Sequence, residues 1–153
     1  MNPNSINFLR DSLSHHYGLR SALDQKASFL VGIAAIIFGF SMTRLTELNF
    51  LILAICSFIT LLLAAMAVFL PFRGKIKERI SLMCWWNFTK KEYEQYKKEL
   101  NDMFQSDEKI ADEYARDIWN LANYSIKPKS LILKWASFIL ILGLLAGFVL
   151  FFV

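Results

Sequence analysis

Few side chains in this sequence are of the types that perform chemistry, and their spacing is poor for it. His15 and His16 are adjacent, and neighbouring helical residues point about 100° apart, so the two imidazoles are badly placed to share a metal ion. Cys56 and Cys84 fit no metal-binding spacing, and we predict that both are reduced packing residues. The sequence has no glycine-rich phosphate loop and no nucleophile with a base at usable spacing. We therefore predict no catalytic residue, no metal site and no enzyme activity.

Side chains that could bind an anion are better represented. The segment from Arg73 to Arg79 carries four basic residues against one acid. Such a cluster commonly anchors a protein to anionic lipid, and we favour that interpretation over a phosphate site for an anionic ligand. Trp85 and Trp86 follow in an apolar segment that is too short to span a membrane. We favour packing of these rings against other helices, with stacking of a purine or pyrimidine as the alternative.

The elements that would position these residues are membrane helices. Charged residues make up 20% of a chain that is 56% hydrophobic, and the apolar residues come in blocks, which is the pattern of a small integral membrane protein. Three blocks are long enough to cross a bilayer, the first only just. We place transmembrane helices at residues 27–43, 48–72 and 134–153, with Lys134 and Trp135 anchoring the last one at the interface.

Lysine and arginine are distributed unevenly between the segments outside these spans. Three of them precede the first span, one lies between the first and second spans, and twelve lie between the second and third. The positive-inside rule then places residues 1–26 and 73–130 in the cytoplasm, with the short hairpin around Arg44 and the C-terminus on the outer side.

The leader at residues 1–26 has the pattern of an amphipathic helix. Ile6, Leu9, Leu13 and Tyr17 recur at three- and four-residue spacing. No breaker stands between this leader and the first span, so we predict one helix that continues from the leader into the membrane.

The insert at residues 73–130 is predicted to be a compact helical module. A capping box at 89–92 should start one helix, and Ser106 with two following acids should cap the next. Twelve basic residues balance ten acids, which we expect on exposed helix faces, and such a balance argues against a nucleic-acid-binding surface. Pro128 should kink or end the second helix near Ile126. The apolar faces expected for the two helices are Tyr93, Tyr96, Leu100 and Met103 or Phe104, and then Ile110, Tyr114, Ile118, Leu121 and Ser125, with Trp119 at the edge.

Two pairs of small residues in the spans would let helix backbones approach closely. These pairs are Ala35 with Gly39 and Gly143 with Gly147, and we favour packing within one chain over contact between subunits. The spans contain no charge and little that is polar beyond three hydroxyl side chains. Nothing in one protomer therefore predicts a dedicated channel or pump.

The overall layout resembles the transmembrane effectors of bacterial Pycsar antiphage defence. The resemblance rests on Asp24-x-Lys26-Ala27 at the end of the leader, a two-span hairpin, a helical pair near an aromatic cluster with Glu92-Tyr93, and a last span after a helix containing Ala122. It covers nearly the whole chain. It implies an inner-membrane protein that stays inactive until a partner cyclase, responding to phage, makes cyclic CMP or cyclic UMP. The effector then impairs the membrane, and the infected cell dies or stops growing.

The resemblance also implies a homo-oligomer activated by a cyclic pyrimidine nucleotide. A cyclic-nucleotide-binding β-barrel does not fit into a helical insert of 58 residues, so the sensor must be the helices, a protomer interface or another protein. Asp24 and Lys26 have two alternative roles. They either set the depth of a short span, with Lys26 at the interface and Asp24 paired with a basic neighbour, or couple the cytoplasmic helices to the membrane. The candidates for nucleotide binding are Arg73, Lys75, Lys127, Lys129, Trp85 and Trp86. The alternative function, from another class, is a non-lethal small membrane anchor or regulatory subunit of another membrane complex.

Overall fold

The computed structural model describes residues 3–69, Leu82 and residues 92–152. These residues form five α-helices and one π-helical turn, and they contain no strand. The chain divides into two compact units, one made of residues 1–20 and 72–126 and the other of residues 21–71 and 127–153. The helices are α1 (Pro3–Met42), α2 (Leu48–Phe69), α3 (Tyr93–Met103), α4 (Asp107–Leu121) and α5 (Lys127–Phe151), with the π-helical turn at Ala122–Ile126.

The predicted continuity of the leader with the first span is confirmed, because α1 is a single helix of 40 residues. Gly18 lies inside it without breaking it, as expected for a helix interior in which one glycine costs only about 1 kcal/mol. The helix ends in a turn in which the backbone N–H of Thr43 donates to the Phe40 carbonyl at 3.2 Å. A short connection then leads into α2.

In the second unit, α2 and α5 pack against each other in antiparallel directions. Cys56 of α2 lies against Gly143 of α5. Thr60, which comes later in α2, donates its hydroxyl at 3.3 Å to the carbonyl of Ala136, which comes earlier in α5. The polar side chains at the core of this unit are small hydroxyl residues that also bond to their own helix. The hydroxyls of Ser41, Ser57 and Thr60 each donate to the carbonyl four residues earlier, at 2.8, 2.6 and 2.8 Å.

Small side chains fill the interior of this second unit, and large apolar ones cover its outside. Ala34, Ala64 and Ala136 are fully buried, whereas Ile36 and Phe69 are 73% and 79% exposed. This distribution suits a membrane, where lipid tails are as apolar as leucine and small residues let helices approach closely. Among the described residues, three helices are long and apolar enough to cross a bilayer. The prediction of an all-α membrane protein with three spans is confirmed.

In the first unit, the predicted cap of α4 is confirmed and the predicted cap of α3 is wrong. Ser106 precedes α4 and its hydroxyl accepts from the Lys109 N–H at 3.2 Å. The capping box at 89–92 would place Glu92 inside a helix, but Glu92 has extended backbone and α3 begins at Tyr93. A capping-box glutamate must itself be helical to reach back to the cap, so an extended Glu92 cannot complete the box.

We predicted that Pro128 would kink or end the helix near Ile126. The helix does not end there. The helical path passes from α4 through the π-helical turn at Ala122–Ile126 into α5, which contains Pro128 in its first turn. Proline has no N–H to donate and crowds the carbonyl four residues earlier. A π-helical turn directly before it accommodates one extra residue and relieves that crowding.

Candidate functional site

The structure pairs two residues that lie 105 positions apart in the sequence. The Lys129 ammonium of α5 donates a hydrogen bond to the Asp24 carboxylate of α1. In both helices the contact lies where the sequence changes from charged to apolar residues. The Lys129 side chain is only 4% exposed, and that of Asp24 is 42% exposed. The pair therefore joins α1 to α5 at one end of the second unit.

An apolar cluster lies beside this ion pair. Ala27, Ala67 and Leu133 are buried together, so the cluster takes one residue from each of α1, α2 and α5. Leu23 and Leu30 pack at its edge from α1. Such surroundings keep water from the Lys129 ammonium and lower the dielectric around it, which raises the cost of removing its partner.

The other predicted site residues are not assembled around this pair in the described part of the chain. Lys26 and Lys127 are exposed, and neither has an ion-pair partner among residues 3–69 and 92–152. The remaining nucleotide-binding candidates lie outside the described residues, namely Arg73, Lys75, Trp85 and Trp86. Of the predicted site residues with charge, Asp24 and Lys129 are thus the two that the structure brings into contact.

The two pairs of small residues have different surroundings. A Cβ built on Gly143 would lie 2.4 Å from the Cys56 Cβ, and one built on Gly147 would lie 2.7 Å from Leu53. Both glycines therefore lie where α5 meets α2. Ala35 and Gly39 are exposed, and a Cβ on Gly39 would have no neighbour within 4 Å.

The first unit contains buried polar side chains that we expected to be exposed. Glu113, Asp117 and Asn120 are 4%, 2% and 1% exposed, so the expectation of acids confined to exposed faces is wrong for these two carboxylates. Glu113 accepts a hydrogen bond from the Leu82 N–H at 2.8 Å. Asp117 accepts one from the Tyr17 hydroxyl at 3.2 Å. These bonds offset the cost of removing the carboxylates from water.

Burial has an electrostatic consequence for Asp117. Desolvation raises the pKa of its carboxyl above the ordinary value of 3.8. The hydrogen bond from Tyr17 works in the opposite direction by stabilising the anion, and the nearby Glu113 charge raises the pKa further. The two carboxylates and Asn120 lie at i, i+4 and i+7, so they share one helical face. That spacing was visible in the sequence, but it adjoins the apolar stripe of Ile110 and Tyr114, which we took as the buried face.

A cavity of about 360 Å³ in the first unit is rich in acids. Among the described residues, its lining includes the acids Glu99, Asp102, Glu108, Asp112 and Glu113 and the base Lys109. Lys109 already pairs with Asp102 at 2.7 Å. The described part of this lining therefore disfavours a phosphate or another anion. The described residues hold no group of His, Cys, Asp and Glu arranged to bind a metal ion.

The sequence was compared with models of known protein families. The Pycsar effector protein domain matches residues 8–153, which is nearly the whole chain. The chain belongs to the Pycsar effector family. No curated protein and no solved structure matches it.

Membership of the Pycsar effector family confirms the resemblance predicted from the sequence. It makes the chain a membrane effector with a role in antiphage defence. The Pycsar effector domain is not a known catalytic family.

Proposed function

We propose that this Pycsar effector is held inactive in the bacterial inner membrane until a partner cyclase supplies cyclic CMP or cyclic UMP. The activated effector then impairs membrane integrity and causes abortive infection. The family match over residues 8–153 is the observation that carries this proposal. The contact between Asp24 and Lys129 supports it, because one residue is a coupling candidate and the other a nucleotide-binding candidate.

The proposed trigger is competition for Lys129. The phosphodiester of a cyclic nucleotide is an anion, and it would compete with the Asp24 carboxylate for the buried Lys129 ammonium. Lys127, Arg73 and Lys75 are the other basic candidates; Lys127 lies two positions before Lys129 and therefore on a different face of α5. The acid-rich cavity of the first unit would repel the same ligand. The ligand shifts the equilibrium only if it binds the released arrangement better than the paired one.

The proposed lesion requires more than one copy of the chain. The core of the three spans is filled by small side chains, and its buried hydroxyls already donate to backbone carbonyls. The described residues of one protomer therefore offer no polar path through the membrane. Ala35 and Gly39 are exposed and offer a surface of small residues on α1 for contact with a second copy. We propose that activation favours a homo-oligomer formed through this surface.

The proposed orientation follows the distribution of basic residues. Residues 1–26 and 73–130 would lie in the cytoplasm, where the nucleotide is made, and the C-terminus would lie outside. Labelling of single introduced cysteines at Asp107 and Phe152 with a membrane-impermeant thiol reagent, in a Cys56→Ser, Cys84→Ser background, tests this. Labelling at 152 and protection at 107 in intact cells is expected, and the reverse pattern would overturn the orientation.

The proposed function is tested in cells that express the chain with and without a supply of each cyclic nucleotide. We expect membrane potential and growth to fall only when cyclic CMP or cyclic UMP is present. Asp24→Asn should lower the potential without nucleotide, because it removes the contact that a ligand would otherwise have to displace. Asp11→Asn is the matched control, since Asp11 forms a salt bridge whose two side chains are both well exposed. Unchanged potential under both nucleotides, with the protein confirmed in the membrane, would refute the proposal.

A further inference from the structure

A groove of about 570 Å³ runs between α1 and α5 on the outside of the second unit. Its volume lies within the usual range for sites that hold small molecules. Lys26 lines it from α1, and Ser130, Lys134 and Ser137 line it from α5. These three residues of α5 are spaced by four and three positions, so they lie on one face of the helix.

The groove carries positive charge that the described residues do not neutralise. Lys26 and Lys134 are both exposed, and neither has an ion-pair partner within the described ranges. Lys129 differs, because its charge is balanced by Asp24. The groove therefore presents two free ammonium groups where α1 and α5 become apolar, and it is complementary to one anionic phosphate.

The same groove also has an apolar lining. Phe29, Leu30 and Leu133 line it beside the polar residues, and Phe29 is 69% exposed. An adjoining surface with Trp135 and Phe138 is also mainly apolar and exposed, at 55% and 50%. An acyl chain would cover this apolar lining. Basic pockets between membrane helices near the interface bind the headgroups of anionic lipids in this way.

We propose that this groove is a binding site for one anionic phospholipid. Its phosphate lies between Lys26 and Lys134, the hydroxyls of Ser130 and Ser137 hydrogen-bond to the headgroup, and an acyl chain lies along Phe29 and Leu133. The site tethers α1 to α5 on the outside of the bundle, next to the ion pair that joins the same two helices. It does not depend on activation by a nucleotide.

The test uses the full chain purified in mild detergent and native mass spectrometry of the lipid it retains. Phosphatidylglycerol is the anionic probe and phosphatidylcholine the neutral one. We expect one tightly held phosphatidylglycerol, with phosphatidylcholine retained more weakly. Each lysine near the membrane surface contributes about fivefold to the affinity for an anionic lipid. The double variant Lys26→Gln, Lys134→Gln should therefore weaken retention of phosphatidylglycerol by about 25-fold. Lys26→Arg with Lys134→Arg should preserve it.

Matched controls separate the groove from general charge and from misfolding. Lys97→Gln with Lys98→Gln removes the same charge from α3 in the first unit and should leave retention unchanged. Ser137→Trp fills the groove without changing charge and should reduce retention, which keeps the proposal testable if the lysine variant misfolds. Equal retention of the two lipids by the unmodified chain would overturn the proposal. Unchanged retention in both groove variants would do the same, as would displacement of phosphatidylglycerol by cyclic CMP or cyclic UMP.

Discussion

The ion pair between Asp24 and Lys129 predicts an unequal response to loss of its two partners. The Lys129 side chain is 4% exposed, and that of Asp24 is 42% exposed. Asp24→Asn leaves a buried ammonium without a counter-charge. Lys129→Gln leaves a carboxylate that water already reaches in part. The first substitution should therefore cost more free energy of unfolding than the second.

The expected magnitudes follow from how deeply each charge is buried. Removal of one partner from a fully buried ion pair costs about 3–5 kcal/mol. Because Asp24 is partly exposed and water screens the pair, we expect Asp24→Asn to cost about 2–3 kcal/mol and Lys129→Gln about 1 kcal/mol. The double variant Asp24→Asn, Lys129→Met should be more stable than Asp24→Asn alone, since it leaves no buried charge.

The assay is reversible unfolding of the full chain in mixed detergent micelles under one set of conditions. Asp11→Asn serves as the control, because the side chains of Arg10 and Asp11 are 66% and 77% exposed and their salt bridge is long, at 3.8 Å. It should change the free energy of unfolding by less than about 0.5 kcal/mol. Equal costs for Asp24→Asn and Lys129→Gln, or no cost for either, would show that the pair is not a buried contact between α1 and α5.

Three further predictions concern helix packing and the buried carboxylates. Gly143→Ala should cost about 1–3 kcal/mol in the same unfolding assay because the new Cβ would overlap α2, whereas Gly39→Ala should be close to neutral; equal effects would contradict the packing. The pKa of Asp117 is raised in the folded state, so between the ordinary value of 3.8 and the raised value the folded state binds more protons than the unfolded state. Stability should therefore fall as pH rises through that window; Asp117→Asn should flatten this dependence, and an unchanged pH profile would refute it. Tyr17→Phe should cost about 1 kcal/mol by removing the hydrogen bond to Asp117, while Tyr93→Phe at an exposed position should cost nothing measurable.

The elements that the sequence predicts well are those set by local chemistry. The spans follow from blocks of apolar residues, and the start of α4 follows from a serine whose hydroxyl bonds to an N–H three residues later. The continuity of α1 follows from the lack of a breaker near Asp24. Each of these depends on neighbours within a few positions, so periodicity and capping rules suffice to find them.

The features that the sequence does not predict depend on contacts between distant segments. Asp24 is one of several acids and Lys129 one of several bases, and only the packing of α1 against α5 selects this pair. In α4, the stripe that contains Glu113 and the stripe that contains Ile110 lie side by side on the helix. The predicted stripe is half-buried or buried, with Leu121 2% exposed, and the stripe of Glu113 is buried as well. That second stripe is buried by contacts with distant residues, including Leu82 and Tyr17. Local propensity carries no information about such contacts.

The two pairs of small residues illustrate the same limit. Ala35 with Gly39 and Gly143 with Gly147 have identical spacing in the sequence. Yet the second pair lies against α2, and the first is exposed on α1. A spacing rule identifies a surface that allows close approach, but the partner that uses it is set by the fold.

The proposal that a cyclic pyrimidine nucleotide makes this effector impair the membrane is tested most directly by measuring membrane potential. The purified chain is reconstituted into liposomes that hold a potassium diffusion potential, and the potential is followed after addition of cyclic CMP, cyclic UMP or cyclic AMP. We expect one of the two cyclic pyrimidine nucleotides to dissipate the potential while cyclic AMP does not, and we expect Asp24→Asn liposomes to leak without any nucleotide. A stable potential with both pyrimidine nucleotides, in liposomes shown to contain the inserted chain, would contradict it.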